Sequence, residues 1–433
     1  MLGPGTDLVL AIEKPAVGGR MIARYHGEVV LVSGTLPGEL VRARVERVGR
    51  GVVYAATSEI LEPAADRRAV MTDPACGGNV YLHIAYERQL ALKGAIISDA
   101  FSRIARLPLS APVPVAPSPE RGYRMRARLH VRAGSIGFFR EGTHDLCDPA
   151  RSGQLLPETS DLLARLSCRL RSDRMNAVSS IELAENIAAS ERALHLEIAR
   201  PIEPAVLASL FGGLAVTGVS ASEPGGPEAA AVNGTPFVTD ALEVSPSAER
   251  GSMVSLRRHA RAFFQANRYL LPRLVSRMLV LVSPGPVIDL YAGVGLFAVS
   301  LAAAGWQDVS AVEADRRSAA DLRVNAEPYG PAVRTFLMPV ERYLRSCPRG
   351  AVTTLILDPP RTGMSREALA GVLQLGAPRI VFVSCDVATL ARDVRRLLDA
   401  GYRLDSLEAF DLFPNTAHVE AVAVLTTSSG TPR

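Results

Sequence analysis

From about residue 255 to the C-terminus, unbroken apolar runs alternate with stretches of helical spacing. "PVIDL", "AVEAD", "TLILD" and "RIVFVSC" are short enough for strands and apolar enough to be covered on both faces. "FFQANRYLLPRLVSRMLVLV" has the spacing of a helix. "YRLDSLEAF" and "HVEAVAVLT" follow each other with no helix between them, which predicts an antiparallel pair at the end of a sheet. The order is that of an α/β, doubly wound, Rossmann-like domain over residues 255–433. Residues 1–62 instead alternate polar and apolar positions between glycine turns, predicting a small all-β barrel. Residues 63–254 predict a central β-rich α+β domain, containing a proline-dense extended connector at 107–119. Within it, residues 219–235, rich in Ser, Gly, Pro and Ala, are expected to form a flexible surface loop.

A length of 433 residues fits two or three cores better than one. No apolar stretch reaches the length of a membrane span and the N-terminus lacks a secretory pattern, so a cytoplasmic protein is expected. The five cysteines, at 76, 147, 168, 347 and 385, are few, odd in number and scattered, which argues against a disulfide framework. The net charge is +4, and Lys14 and Lys93 are the sole lysines. Coding bias explains that arginine preference at least as well as function does. Two arginine groups still stand out. Arg42, Arg44 and Arg47 share the barrel surface, and Arg124, Arg126, Arg128 and Arg132 share one strand face opposite Met125, Leu129 and Val131. Each could be a solvated face; the denser second stripe favours RNA phosphate.

The candidate chemistry sits at the strand ends of the last domain. "DLYAGVGLFA" places Gly293, Gly295 and Ala298 in G-x-G-x-x-A spacing after a strand, and Glu313 ends the next strand, suited to ribose hydroxyls. A dinucleotide could use that loop. The rigid "DPPR" at 358–361, with its donor-free prolines, instead suits a flat substrate, and points to S-adenosylmethionine and methyl transfer.

"FFQAN", "DLYAGVG", "DPPRTG", "SCD" and "FPNTAHVEAV" together resemble the RNA uracil-C5 (5-methyluridine) methyltransferase family, across nearly the whole chain. The resemblance implies that the barrel is an OB-like TRAM domain and that the central region binds RNA. It makes Cys385 the nucleophile that adds to uracil C6 and Glu420 the base that removes the C5 proton. It places S-adenosylmethionine against Gln265, Tyr291, Gly293, Gly295, Glu313 and Asp358. Read alone, Cys385 could be apolar filler, Gln265 a helix cap and Asp358 a turn-former; an unpaired glutamate in an apolar run is harder to explain without function. Cys147, Cys168 and Cys347 lack such context and read as structural.

The chain also departs from the family. Asp386 and Val387 stand where many members have Asn and Pro, and Leu296 replaces a polar residue of some members. Asp386 would set a negative charge beside the thiol. The segment "DPACGGNV" resembles the family's iron–sulfur region, but Val70 and Asn79 occupy two ligand positions and Ser152 a third, with Cys147 nearby. Cys76 is the lone survivor of the spacing, so no [4Fe–4S] cluster and no metal are expected. The implied partner is ribosomal RNA, or alternatively the T-loop of tRNA, with no membrane and no obligate protein partner. A noncatalytic RNA-binding or chaperone protein that keeps the fold is the competing class; a methyltransferase of small molecules or proteins fits the basic stripe less well.

Overall fold

The computed structural model describes residues 2–70, 72–171, 177–223, 231–244 and 251–427. The N-terminal strands Asp7–Pro15, Met21–Tyr25, Glu28–Ser33, Leu40–Gly49 and Val52–Glu62 close into a barrel, the first pairing with the fourth through Leu10 and Val41. Strict alternation drives it: Leu8, Leu10 and Ile12 point inward, while Asp7, Val9 and Ala11 point out. Arg42 and Arg44 face outward, in ion pairs with Glu59 and Asp7, and Arg47 lies over the Tyr54 ring.

The middle of the chain forms a seven-stranded sheet with Val178–Glu185 at its centre; Arg126–Arg132 lies next to it, between Val178–Glu185 and Ser135–Phe139. Helix Pro157–Leu170 covers one face through Leu162, Leu163, Leu166 and Leu170. The loop expected at 219–235 is a correction. Gly218–Ser222 is a buried strand parallel to Arg192–Ile198, and Ala231–Gly234 pairs with it; residues 224–230 lie outside the described residues. Small side chains mislead here because the strand is tightly covered. A Cβ at Gly218 would lie 2.2 Å from the Thr235 backbone.

The third sheet runs Val333–Leu337, Val309–Glu313, Val287–Leu290, Thr354–Leu357, Arg379–Ser384, Glu420–Thr427, Tyr402–Phe410, Val115–Ala116. Its first five strands are parallel and Glu420–Thr427 runs antiparallel to both neighbours. The proline-dense connector contributes the last short strand, which covers the edge beyond the terminal hairpin. Helices Leu271–Leu281 and Leu296–Ala303 pack on one face, and Tyr86–Arg103, Arg366–Leu375 and Val387–Asp399 on the other. Hairpin Phe237–Val244/Ser252–His259 also packs into the first of these cores through Leu242, Val244, Val254 and Leu256, so a boundary at 254/255 falls inside a strand. The helix expected from 263 begins at Leu271, with Pro272 in its first turn. The preceding "FFQAN" is non-helical because Asn267 bridges to Arg124 and Met125 donates to the Ala266 carbonyl.

The cysteines hold a second correction. Cys76 and Cys147 form a disulfide, their Cα atoms 5.5 Å apart, closing a separation of 71 residues. The hairpin Ser135–Phe139/Leu146–Cys147 brings Cys147 to the turn that carries Cys76, a meeting that sequence spacing does not show. Asn79 is buried there, donating to the Asp73 carbonyl, and Ser152 is a buried residue of a short helix.

Candidate active site

In the parallel sheet, strand Val287–Leu290 has Val309–Glu313 on one side and Thr354–Leu357 on the other. The connections diverge at that point, opening a crevice at the carboxyl ends. Tyr291, Gly293 and Gly295 follow directly, all three with positive φ (64°, 58° and 97°). For Tyr291 that conformation is strained, as is common beside ligand sites. Nothing lies within 4 Å of a Cβ built on Gly293, whereas one on Gly295 would strike Val299 and Leu322 at 2.7 and 2.8 Å. The first glycine leaves room for a ligand; the second lets the following helix pack.

Gln265, Tyr291, Gly293 and Asp358 line one cavity with Phe263, Phe264, Leu296 and Phe297. Glu313 accepts from the Gly293 and Asp315 amides at 2.8 and 2.6 Å. Asp289, in the strand that leads into this loop, accepts from the Ala298 amide at 3.0 Å with one carboxylate oxygen, while the other is buried without a partner. Burial raises the carboxyl pKa of Asp289, Glu313 and Asp358, with the charge of Asp358 adding to the rise at Asp289; Asp358 reaches about 7, against a hydrogen bond from Gln265 that opposes the rise. Three carboxylates, an orphaned acceptor and an empty glycine cradle make a site suited to a cationic ligand with hydroxyls.

Cys385 follows the end of strand Arg379–Ser384. Ser384 pairs with Ala421, so the thiol and Glu420 occupy neighbouring positions where two adjacent strands end and begin. Cys385 is half-buried and Glu420 is 2% exposed. Burial and then Glu420 push the thiol up to about 11, and a hydrogen bond from Arg361 opposes them. Burial, then Asp358, raises the Glu420 carboxyl well above its usual range. Asp386 turns away from this chemistry: it is the N-cap of helix Val387–Asp399, accepting from the Thr389 amide at 2.8 Å. Val387 is buried in that helix and Leu296 begins the helix beside the cavity.

The basic stripe divides. Arg124 bonds Gln154 and Arg126 bonds the Ala262 carbonyl while lying 5.6 Å from the exposed Phe263 ring, and burial lowers the pKa of both guanidiniums. Arg128 pairs with Glu197 and Arg132 lies over Phe139. Arg361, Asp289 and Phe263 were not singled out from the sequence, although each belongs to a quoted motif; "DPPR" already placed a cation three residues after Asp358. Among the described residues no group of three metal-ligating side chains occurs.

The tRNA (uracil-5-)-methyltransferase family model matches residues 346–428, the segment holding Asp358, Arg361, Cys385 and Glu420. A 23S rRNA (uracil(1939)-C(5))-methyltransferase of Pseudomonas putida is 32% identical over 96% of this chain and 92% of its own. The chain belongs to the RNA (uracil-C5)-methyltransferase family. An uncharacterised RNA methyltransferase of Thermosynechococcus vestitus is 30% identical over 98% of this chain and 99% of its own. The fold is that of a solved tRNA (uracil-54, C5)-methyltransferase of Pyrococcus abyssi in complex with S-adenosyl-L-homocysteine. The two match with a TM-score of 0.75 at 24% identity, over 96% of this chain and 99% of the other. This RNA (uracil-C5)-methyltransferase shares that fold. Among its described residues no helix is long and apolar enough to cross a membrane.

Proposed function

We propose that the enzyme methylates C5 of one uridine in structured RNA through a covalent bond between Cys385 and uracil C6. The observation that carries this is the strand register that sets Cys385 beside Glu420, with Arg361 on the thiol. Uracil C5 is a weak nucleophile. The Cys385 thiolate adds at C6, and the displaced π electrons move onto the C4 carbonyl, giving C5 enolate reactivity. S-adenosylmethionine, when bound, supplies an electrophilic methyl group. Glu420 then removes the C5 proton, the C5–C6 double bond re-forms, and the C6–S bond breaks to return the thiolate. Arg361 holds positive charge at the sulfur when it is negative. Gln265, Tyr291, Gly293, Glu313 and Asp358 would hold the cofactor, and Gly295 shapes their loop.

The uridine must leave its stack to enter a crevice at this depth. Arg124 and Arg126, nearest the cavity, and Arg128 and Arg132 beyond it would guide the backbone, with the barrel as a second RNA contact, in the cytoplasm where the substrate is. Relatives spanning nearly the whole chain and named for 23S ribosomal RNA support ribosomal RNA as the target. Mapping 5-methyluridine by mass in ribosomal and transfer RNA, from cells with and without the gene, tests this: one ribosomal 5-methyluridine is expected to vanish. Loss of a tRNA modification instead, or of none, would refute the assignment.

A further inference from the structure

Hairpin Tyr402–Phe410/Glu420–Thr427 pairs Phe410 with Glu420, so residues 411–419 form its connecting loop and Glu420 is where that loop re-enters the sheet. Backbone pairing fixes the Cα of Glu420. The angle at which the chain arrives there depends on the loop. Helix Tyr86–Arg103, remote in sequence, grips this loop from the other side.

Lys93 is 0% exposed, and its ammonium bonds Asp411 at 2.5 Å and the Phe413 carbonyl at 3.0 Å. Tyr86 donates to the second Asp411 oxygen at 3.0 Å and accepts from the Ser118 amide at 2.7 Å. Gln89 exchanges two hydrogen bonds with Asn415, at 2.9 and 3.0 Å, where the loop turns with positive φ. Asn267, two residues after Gln265, donates to the Leu412 carbonyl at 3.2 Å. A lysine is notable in a chain that uses arginine nearly everywhere: it is one of two among 48 basic residues, and the other, Lys14, makes an exposed ion pair. A compact ammonium with three tetrahedral donors suits a carboxylate and a carbonyl at the end of a narrow slot, which a planar guanidinium does not. The slot is narrow because the helix lies close to its neighbour; a Cβ on Gly94 would be 2.8 Å from the Val113 carbonyl.

Packing alone does not call for this arrangement. A buried ion pair with its hydrogen-bonded surround stabilises little compared with apolar residues of the same volume, but it fixes geometry. The fixed element ends in Glu420. Its other limb, Thr416 to His418, walls a cavity of about 250 Å³ shared with Gly18 of the barrel and Gly77 and Gly78 beside the disulfide. We infer that Tyr86, Gln89 and Lys93 are positioning residues for proton removal: they hold the 411–419 loop so that Glu420 reaches the C5 proton, and they tie that step to the N-terminal RNA-binding half. The inference rests on the covalent mechanism proposed above.

Tyr86→Phe removes the hydrogen bond to Asp411 and the one from the Ser118 amide, and keeps the ring; Lys93→Met removes the charge and risks the fold. With Tyr86→Phe, kcat is expected to fall about 5- to 30-fold while KM for RNA and for S-adenosylmethionine stays within about twofold. With RNA deuterated at uridine C5, a primary isotope effect on kcat larger than in wild type is expected, because proton removal becomes slower than the other steps. The rate of covalent trapping by 5-fluorouridine RNA, which needs no proton removal, stays at the wild-type value. An unchanged kcat, or a loss of kcat with an unchanged isotope effect, overturns the inference and leaves the mechanism standing. A wild-type enzyme that traps no 5-fluorouridine RNA removes the mechanism, and the inference with it.

Discussion

Among the described residues Arg361 is the cation that bonds the Cys385 thiol, and replacing it isolates how that thiol would become the proposed nucleophile. Burial and Glu420 leave Cys385 with a pKa of about 11 even with the guanidinium in place. A thiol of that pKa is only about 0.03% thiolate at pH 7.5. Because the shift is upward, attack is expected to accelerate about tenfold per pH unit from pH 6 to 9, with no plateau below about pH 10. A hydrogen bond to a charged group contributes about 1.5–3 kcal/mol. Arg361 is exposed on its outer side, so solvent screening puts its effect at the lower end, about a tenfold loss in rate for Arg361→Met. The assay is the rate of denaturant-stable adduct formation with 5-fluorouridine RNA at saturating RNA and cofactor, from pH 6 to 9. Arg361→Lys should recover part of the loss. Equal rates in wild type and Arg361→Met, or a plateau near pH 7, would show that Arg361 does not set the reactivity of this thiol.

Four further outcomes follow from the site and its supports. Glu420→Gln should reduce turnover by about 10²- to 10⁴-fold and accumulate a protein adduct on ordinary uridine RNA, visible as a gel shift stable to denaturant. Asp386→Asn exchanges one good N-cap for another, so thermal denaturation should change by less than about 0.5 kcal/mol and the rate of adduct formation should stay at the wild-type value; a large loss of stability would show that Asp386 does more than cap its helix. Cys147→Ser should destabilise the protein by about 2–4 kcal/mol in denaturant titration, an effect absent when wild type and variant are compared under strong reductant. With Cys76 engaged in that bond, anaerobically purified wild type is also expected to lack iron-dependent absorption near about 400 nm.

Much of this molecule is written locally. The strands ending at Leu290, Glu313, Leu357 and Ser384 are legible because parallel strands covered on both faces must be apolar throughout. The edge strand Val333–Leu337 is not, since only Val333 is buried and its pattern matches neither period. "FFQAN" has helical spacing yet stays non-helical, because Asn267 spends its side chain on the Leu412 carbonyl and on the amides that start the next helix. The positions of Cys385 and Glu420 are readable as motifs, but their adjacency comes from antiparallel pairing between segments 35 residues apart in sequence. Long-range partners are where local pattern fails. Nothing near Cys76 announces Cys147, and nothing near Lys93 announces Asp411. In the basic stripe, alternation fixes which way the arginines point, but not that Arg126 and Arg128 already have carboxylate partners in Glu182 and Glu197.

The claim on which the rest depends is that sulfur of one residue bonds carbon 6 of the target base. Incubating the enzyme and S-adenosylmethionine with 5-fluorouridine-substituted ribosomal RNA, digesting with nuclease and protease, and sequencing the cross-linked peptide by mass spectrometry tests it directly. A methylated fluorouridine nucleotide attached at Cys385 is expected, with no cross-link in Cys385→Ala. Attachment at Cys168 or Cys347, or methylation of natural RNA by Cys385→Ala, would contradict it.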